Sequence, residues 1–194
     1  METILMKAMK YSALAVFLMT NCHAIADESK VVFGIEIGSS SLDLESDLAN
    51  EFNQDFLDDT GVSSTYSVGY RWANNWQVEG SLSASGNALF SLGLEDFYQA
   101  AEAKLMVGYS FQLAKHLRIV PLIGVSRWDV ELQEGFLLNP GPEERIESDG
   151  TDFSYKVSAE FPIKKGFVLS LSYASTDTTF GDISMTQAGL KYEF

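Results

Sequence analysis

The residues able to carry chemistry are few and unevenly spread. The 194-residue chain holds one cysteine, Cys22, and two histidines, His23 and His116, against 27 acidic and 13 basic residues, for a formal net charge of -14. Ser–His acyl transfer needs a histidine as general base within reach of the nucleophile. His116 stands in Ala114-Lys115-His116, a short polar break between apolar segments that reads as a solvated turn. A carboxylate or lysine site would draw on Glu102, Lys104 and their neighbours, yet no spacing singles out a reacting pair. The sequence therefore assigns no catalytic, cofactor-binding or metal-ligating residue. Scarce cysteine and histidine exclude disulfide scaffolds and zinc sites. The acid excess argues against nucleic acid as a partner, because phosphate recognition needs clustered Lys and Arg.

The charges fall into two sets. Residues 43–62, 86–97, 129–152 and 176–182 carry 19 of the 27 acids and one base, Arg145. Asp43, Glu45 and Asp47, and Asp55, Asp58 and Asp59, supply carboxylates without the spacing of a metal loop. The second set is balanced: Glu36, Glu79, Glu102, Glu160 and Glu193 against Arg71, Lys104, Arg118, Lys156 and Lys191. Its members lie within segments of alternating hydrophobicity, so the elements that hold them decide what they do.

Those elements are strands. Val31, Phe33, Ile35 and Ile37 alternate with Gly34, Glu36 and Gly38, and the same period of two recurs over 66–72, 76–84, 101–113, 153–161, 167–173 and 187–194. The segment 117–128 is apolar on both parities, which leaves the facing of Arg118 open. That makes eight strands. Tight turns at Ala73-Asn74-Asn75, Ala114-Lys115-His116 and Lys164-Lys165-Gly166 alternate with the four long acidic stretches. Asn tolerates the positive φ that a tight turn requires. One strand face bears Tyr, Trp, Phe and aliphatic residues, with Trp72, Trp76, Phe161 and Phe167 beside the short turns. The other bears Gly, Ser and the balanced charges.

Residues 1–26 stand apart from this pattern. Lys7 and Lys10 precede the apolar run 13–19, and Ala24-Ile25-Ala26 offers small residues before Asp27. This is the layout of a cleaved signal peptide, with Met6-Lys7 an alternative start to Met1. The apolar run is too short to span a bilayer, which takes roughly 20 residues. Cys22 lacks the small preceding residue of a lipidation site. Cleavage leaves a single domain, 27–194, with no cysteine and with His116 as its one histidine.

Short turns at one end, long loops at the other and an aromatic outer face resemble the eight-stranded OmpA/OmpX-like outer-membrane β-barrels, including the opacity-type outer membrane β-barrel proteins. The likeness covers nearly all of 30–194. Its most specific element is the last strand, with Leu190, Tyr192 and the terminal Phe194 at alternate positions. Ile183 and Met185 sit on the opposite parity, and a bulge would reconcile them. The resemblance implies an all-β, up-and-down antiparallel transmembrane barrel in a Gram-negative outer membrane, with both termini periplasmic. It implies a last strand read by the barrel-assembly machinery, and contact with outer-membrane lipids and lipopolysaccharide.

Three functions compete on this scaffold. The first is a monomeric structural or surface-interaction protein whose acidic external loops meet a cationic or divalent-bridged partner. Its lumen would be closed by the balanced charges, since eight strands enclose a space that side chains can fill. The second is a small porin-like diffusion channel, which needs those charges held against the wall. The third is a lipid-modifying enzyme, which the place of His116 disfavours. A soluble barrel with an apolar lumen is the architectural alternative. Leu48, Phe52 and Phe56 recur every four residues and read as a short apolar face near the barrel mouth.

Overall fold

The computed structural model describes residues 29–44, 61–87, 97–133, 145–179 and 181–194. The signal segment, the 48–56 apolar face and Asp58 lie outside these residues. Nine strand segments follow one another: β1 (Lys30–Leu44), β2 (Gly61–Arg71), β3 (Trp76–Gly86), β4 (Phe97–Tyr109), β5 (Phe111–Ala114), β6 (Leu117–Gln133), β7 (Arg145–Pro162), β8 (Phe167–Thr178) and β9 (Gly181–Glu193). Ser110 interrupts one stave into β4 and β5, so the count of staves is eight. Each pairs antiparallel with its chain neighbours, while β1 with β9 and β4 with β6 complete the circle. The sheet is a closed up-and-down barrel, and closure leaves its backbone groups paired within the wall.

The tight turns form as their residues dictate. Asn75 adopts φ +67°, and Lys165 and Gly166 adopt +55° and +83°. Trp72 and Trp76 close the first turn with a backbone bond of 2.9 Å.

At the opposite end the strands run further than the acidic composition indicated. Residues 129–133 continue β6 and 145–152 begin β7, in register from Gln133↔Arg145 to Asp129↔Asp149. Thr176, Asp177 and Thr178 end β8 paired with Ile183, Asp182 and Gly181 at the start of β9, and the Thr178 hydroxyl donates to the Gly181 carbonyl at 2.6 Å. Acidic side chains imply water on one face, and a strand outside a bilayer satisfies that as well as a loop does.

Facing follows the alternation. Ile35, Ile37, Tyr66, Leu105, Ile123, Val125, Leu169 and Leu171 are exposed, while Glu36, Glu79, Lys104, Lys156, Glu160 and Lys191 are buried. The ambiguous strand β6 turns Arg118, Val120 and Leu122 inward and Ile123 and Val125 outward. From Leu117 to Val125 the outward face stays apolar. Nine residues rising roughly 3.3 Å each at a tilt of about 40° span roughly 23 Å, close to the ~25 Å apolar band of outer-membrane barrels.

Past that band the pattern inverts. Outward positions become Ser39, Asp43, Arg127, Asp149 and Asp182, and inward ones become Leu42, Leu44, Tyr98, Trp128, Val130, Leu132, Ile183 and Met185. Ile183 and Met185 need no bulge: the ladders of β9 with β1 and β8 run through them without a shift. Where the barrel projects beyond lipid its outer wall meets water, and its interior becomes an ordinary hydrophobic core.

Candidate functional site

Two places can carry function: the lumen and the long-loop end. In the lumen, the strand period brings all ten balanced charges to the inner wall, each less than a tenth exposed. Lys156 on β7 places its Nζ 2.5 Å from Glu36 on β1 and 3.0 Å from Glu79 on β3. Lys191 reaches Glu160 at 3.0 Å and Glu79 at 3.6 Å. Arg71 lies 2.9 Å from Glu160 and also pairs with Glu193, and Arg118 lies 3.0 Å and 2.5 Å from the same two carboxylates. Four acids and four bases thus form one continuous group spanning the barrel toward the short-turn end. Glu102 and Lys104 stand apart, 3.1 Å from each other on one strand face.

Glycine makes room for these long side chains. A Cβ on Gly34 would sit 3.2 Å from Lys191 Cγ, and one on Gly189 would sit 2.5 Å from Glu36 Cγ. Sequence reasoning passed over Gln77, which accepts from Arg71 Nε at 3.0 Å and Nη2 at 2.7 Å. Its inward parity was the available signal.

A layer of small polar residues follows. Thr65 contacts Ser83 at 2.9 Å and donates to Gln187 at 3.0 Å, and Gln187 donates to Ser63 at 3.0 Å. Beyond it lies the apolar core, where the Trp128 indole N–H donates to Asp152 at 2.8 Å and Tyr98 O–H donates to Ser40 at 2.7 Å. The polar atoms of Trp128 and Tyr98 thus both have a partner, as burial of such groups requires.

Asp129, Glu131, Glu147, Asp149 and Asp152 at the long-loop end are strand residues of the projecting β6–β7 pair, with Arg127 bonded to Asp149 on its outer face. β7 pairs with β8 only from Ser154 onward. The other acids of 43–62, 86–97 and 129–152, Asp43 excepted, lie outside the described residues. Among the described residues there is no group of three or more His, Cys, Asp or Glu able to hold a metal ion. His116 is exposed in the β5–β6 turn, at the far end from the acidic segments.

A closed antiparallel barrel with an apolar belt outside and charges inside is inverted relative to a soluble protein, and defines an outer-membrane type of transmembrane β-barrel. Residues 12–194 match the model of the outer membrane protein beta-barrel domain, and the chain belongs to that family. Its place is the outer membrane. No curated protein matches it in sequence.

Among solved structures it is similar to Ail, the attachment invasion locus protein of Yersinia pestis, at 16% identity and a TM-score of 0.58, covering 88% of this chain and 100% of that one. Neisserial surface protein A is similar at 13% identity and TM-score 0.57, covering 88% and 100%. A major outer membrane protein of Thermus thermophilus follows at 11% and 0.58, covering 87% and 100%. Likeness at these identities speaks to fold alone.

Proposed function

We propose that this protein is a surface-interaction protein whose barrel is a closed scaffold and whose activity resides at the long-loop end. The observation that carries the reading is the layering of the lumen: bridged charges, then small polar residues, then a buried apolar core. Ionised groups in so narrow a space must pair or keep water; eight of these have partners on other staves, and Glu102 and Lys104 pair with each other on β4. A diffusion channel would need the same groups drawn back to the wall.

In this reading residues 1–26 are a cleaved signal peptide and 27–194 the single mature domain. The short turns and both termini face the periplasm, and the acidic segments face outward as in other small outer-membrane barrels. The terminal strand with Tyr192 and Phe194 addresses the barrel-assembly machinery, and the mature chain is a monomer without catalytic function. Residues 43–62 and 129–152 hold 15 acids, so they attract a cationic partner, or lipopolysaccharide through bridging divalent ions. Ail has been crystallised with the heparin analogue sucrose octasulfate. A polyanion is the opposite in charge to what these acidic segments attract, so that ligand chemistry does not transfer.

The test replaces 46–60 and 134–144 with short Gly/Asn turns, leaving every described strand intact. The variant should fold and be inserted, but should fail to restore the surface phenotype lost on deleting the gene. Full restoration would place the activity in the barrel wall or lumen and overturn the reading.

A further inference from the structure

We propose that the short-turn end of the barrel carries a cationic collar that binds anionic phospholipid headgroups. Lys115 lies in the β5–β6 turn and Lys164 and Lys165 lie in the β7–β8 turn. These turns are neighbours, because β6 and β7 pair from Arg118↔Glu160 onward. All three lysines are exposed, as is His116 beside Lys115. Lys30 adds a side chain 48% exposed on the rim of β1, paired with Glu193 at 3.0 Å. Among the described residues, the exposed ionisable side chains of this end are all basic; the anionic group there is the Phe194 carboxylate. The remaining turn, Ala73-Asn74-Asn75, is uncharged, so the collar is interrupted on the β2–β3 side of the rim.

What lies next to the collar identifies its partner. Phe111, Leu113, Phe161, Ile163 and Phe167 border the two basic turns and are 43–65% exposed. Such a belt settles at the boundary between acyl chains and headgroups, which sets the neighbouring ammonium groups at phosphate height. A lysine stem can lie along apolar surface while its charge reaches the headgroup. The β7–β8 turn is tight, with Lys165 and Gly166 both at positive φ, so the paired lysines project from a defined backbone.

An acidic protein is the weaker occupant. A stable protein interface buries about 1,200 Å² or more, and turns of two and four residues flush with the belt offer little of that. The collar rests on the transmembrane reading of the barrel. Assigning it to the periplasmic leaflet rests further on the proposed orientation, which an experiment in detergent leaves aside.

The mature chain, refolded in neutral detergent with equimolar phosphatidylglycerol and phosphatidylethanolamine, would be analysed by native mass spectrometry. The wild type should retain the anionic lipid at least about fivefold over the zwitterionic one, the effect of a single lysine near a charged surface. The combined variant Lys115→Gln, Lys164→Gln, Lys165→Gln should fall to near parity, whereas Arg127→Gln at the other end should keep the preference. Because the lysines are exposed turn residues the variant should still shift on heating in gels; should it not, Lys164→Glu with Lys165→Glu provides the same comparison. Equal retention of both lipids by the wild type, or an undiminished preference in the lysine variants, would overturn the proposal. Binding of soluble peptidoglycan fragments with no lipid preference would overturn it too, by giving the collar to the cell wall.

Discussion

Arg71 on β2 and Glu160 on β7 sit on staves as far apart as an eight-stave barrel allows, yet their side chains meet at 2.9 Å. Contact across the full width is what a lumen filled by side chains looks like from inside. Glu160 also receives Lys191 and Arg118, each at 3.0 Å. One carboxylate therefore holds three cations together.

Removing that carboxylate leaves three buried cations with fewer partners. Glu160→Gln should cost roughly 3–5 kcal/mol, the range for breaking a buried ion pair. Arg127→Gln removes the partner of Asp149 from a pair with side chains 60% and 57% exposed, and should cost at most about 1 kcal/mol. Denaturant unfolding of both variants in the same neutral vesicles checks the contrast. Equal losses would mean that water already reaches the lumenal group.

The apolar core at the long-loop end makes a separate prediction. Gly150 faces Trp128 across the β6–β7 ladder, and a Cβ there would come within 2.5 Å of the indole ring. Gly150→Ala should displace the ring at a cost of roughly 1–3 kcal/mol. Trp128→Ala, which leaves a cavity, should cost roughly 3–5 kcal/mol. Unfolding curves measure the losses, and a red-shift in the tryptophan emission of Gly150→Ala should show the displacement directly.

A closed barrel unfolds only by breaking a ring of strand pairings, since no edge is left to fray. Unboiled protein should therefore migrate differently from boiled protein on a denaturing gel, and should fractionate with outer membranes. Identical mobility together with release into the soluble periplasm would contradict the membrane assignment.

How much of this is legible in the sequence depends on what the alternation can see. Glu36, Glu79, Lys156, Glu160 and Lys191 are readable as inward because each sits between apolar neighbours of opposite parity. Arg118 is not, since Ile119, Val120, Leu122 and Ile123 place apolar residues on both faces, and only pairing with β5 and β7 settles its side. The long-loop end misleads for a physical reason. Asp129 and Asp149 read as loop residues because their charge signals water, but here water lies outside a continuing strand. The same inversion explains why Ile183 and Met185 look out of register: the hydrophobic parity exchanges faces where lipid ends. Tyr98 and Trp128 belong to this core, and a period of two carries no mark of the level at which the solvent changes.

The central claim is that the barrel is a sealed scaffold rather than a conduit. Planar-bilayer recording on the refolded wild-type chain tests it most directly. The account predicts no stable unitary conductance, because bridged charges and the apolar core around Trp128 close the lumen in successive layers. Reproducible, long-lived single-channel openings from the wild type would contradict it, and would make this protein a small diffusion pore.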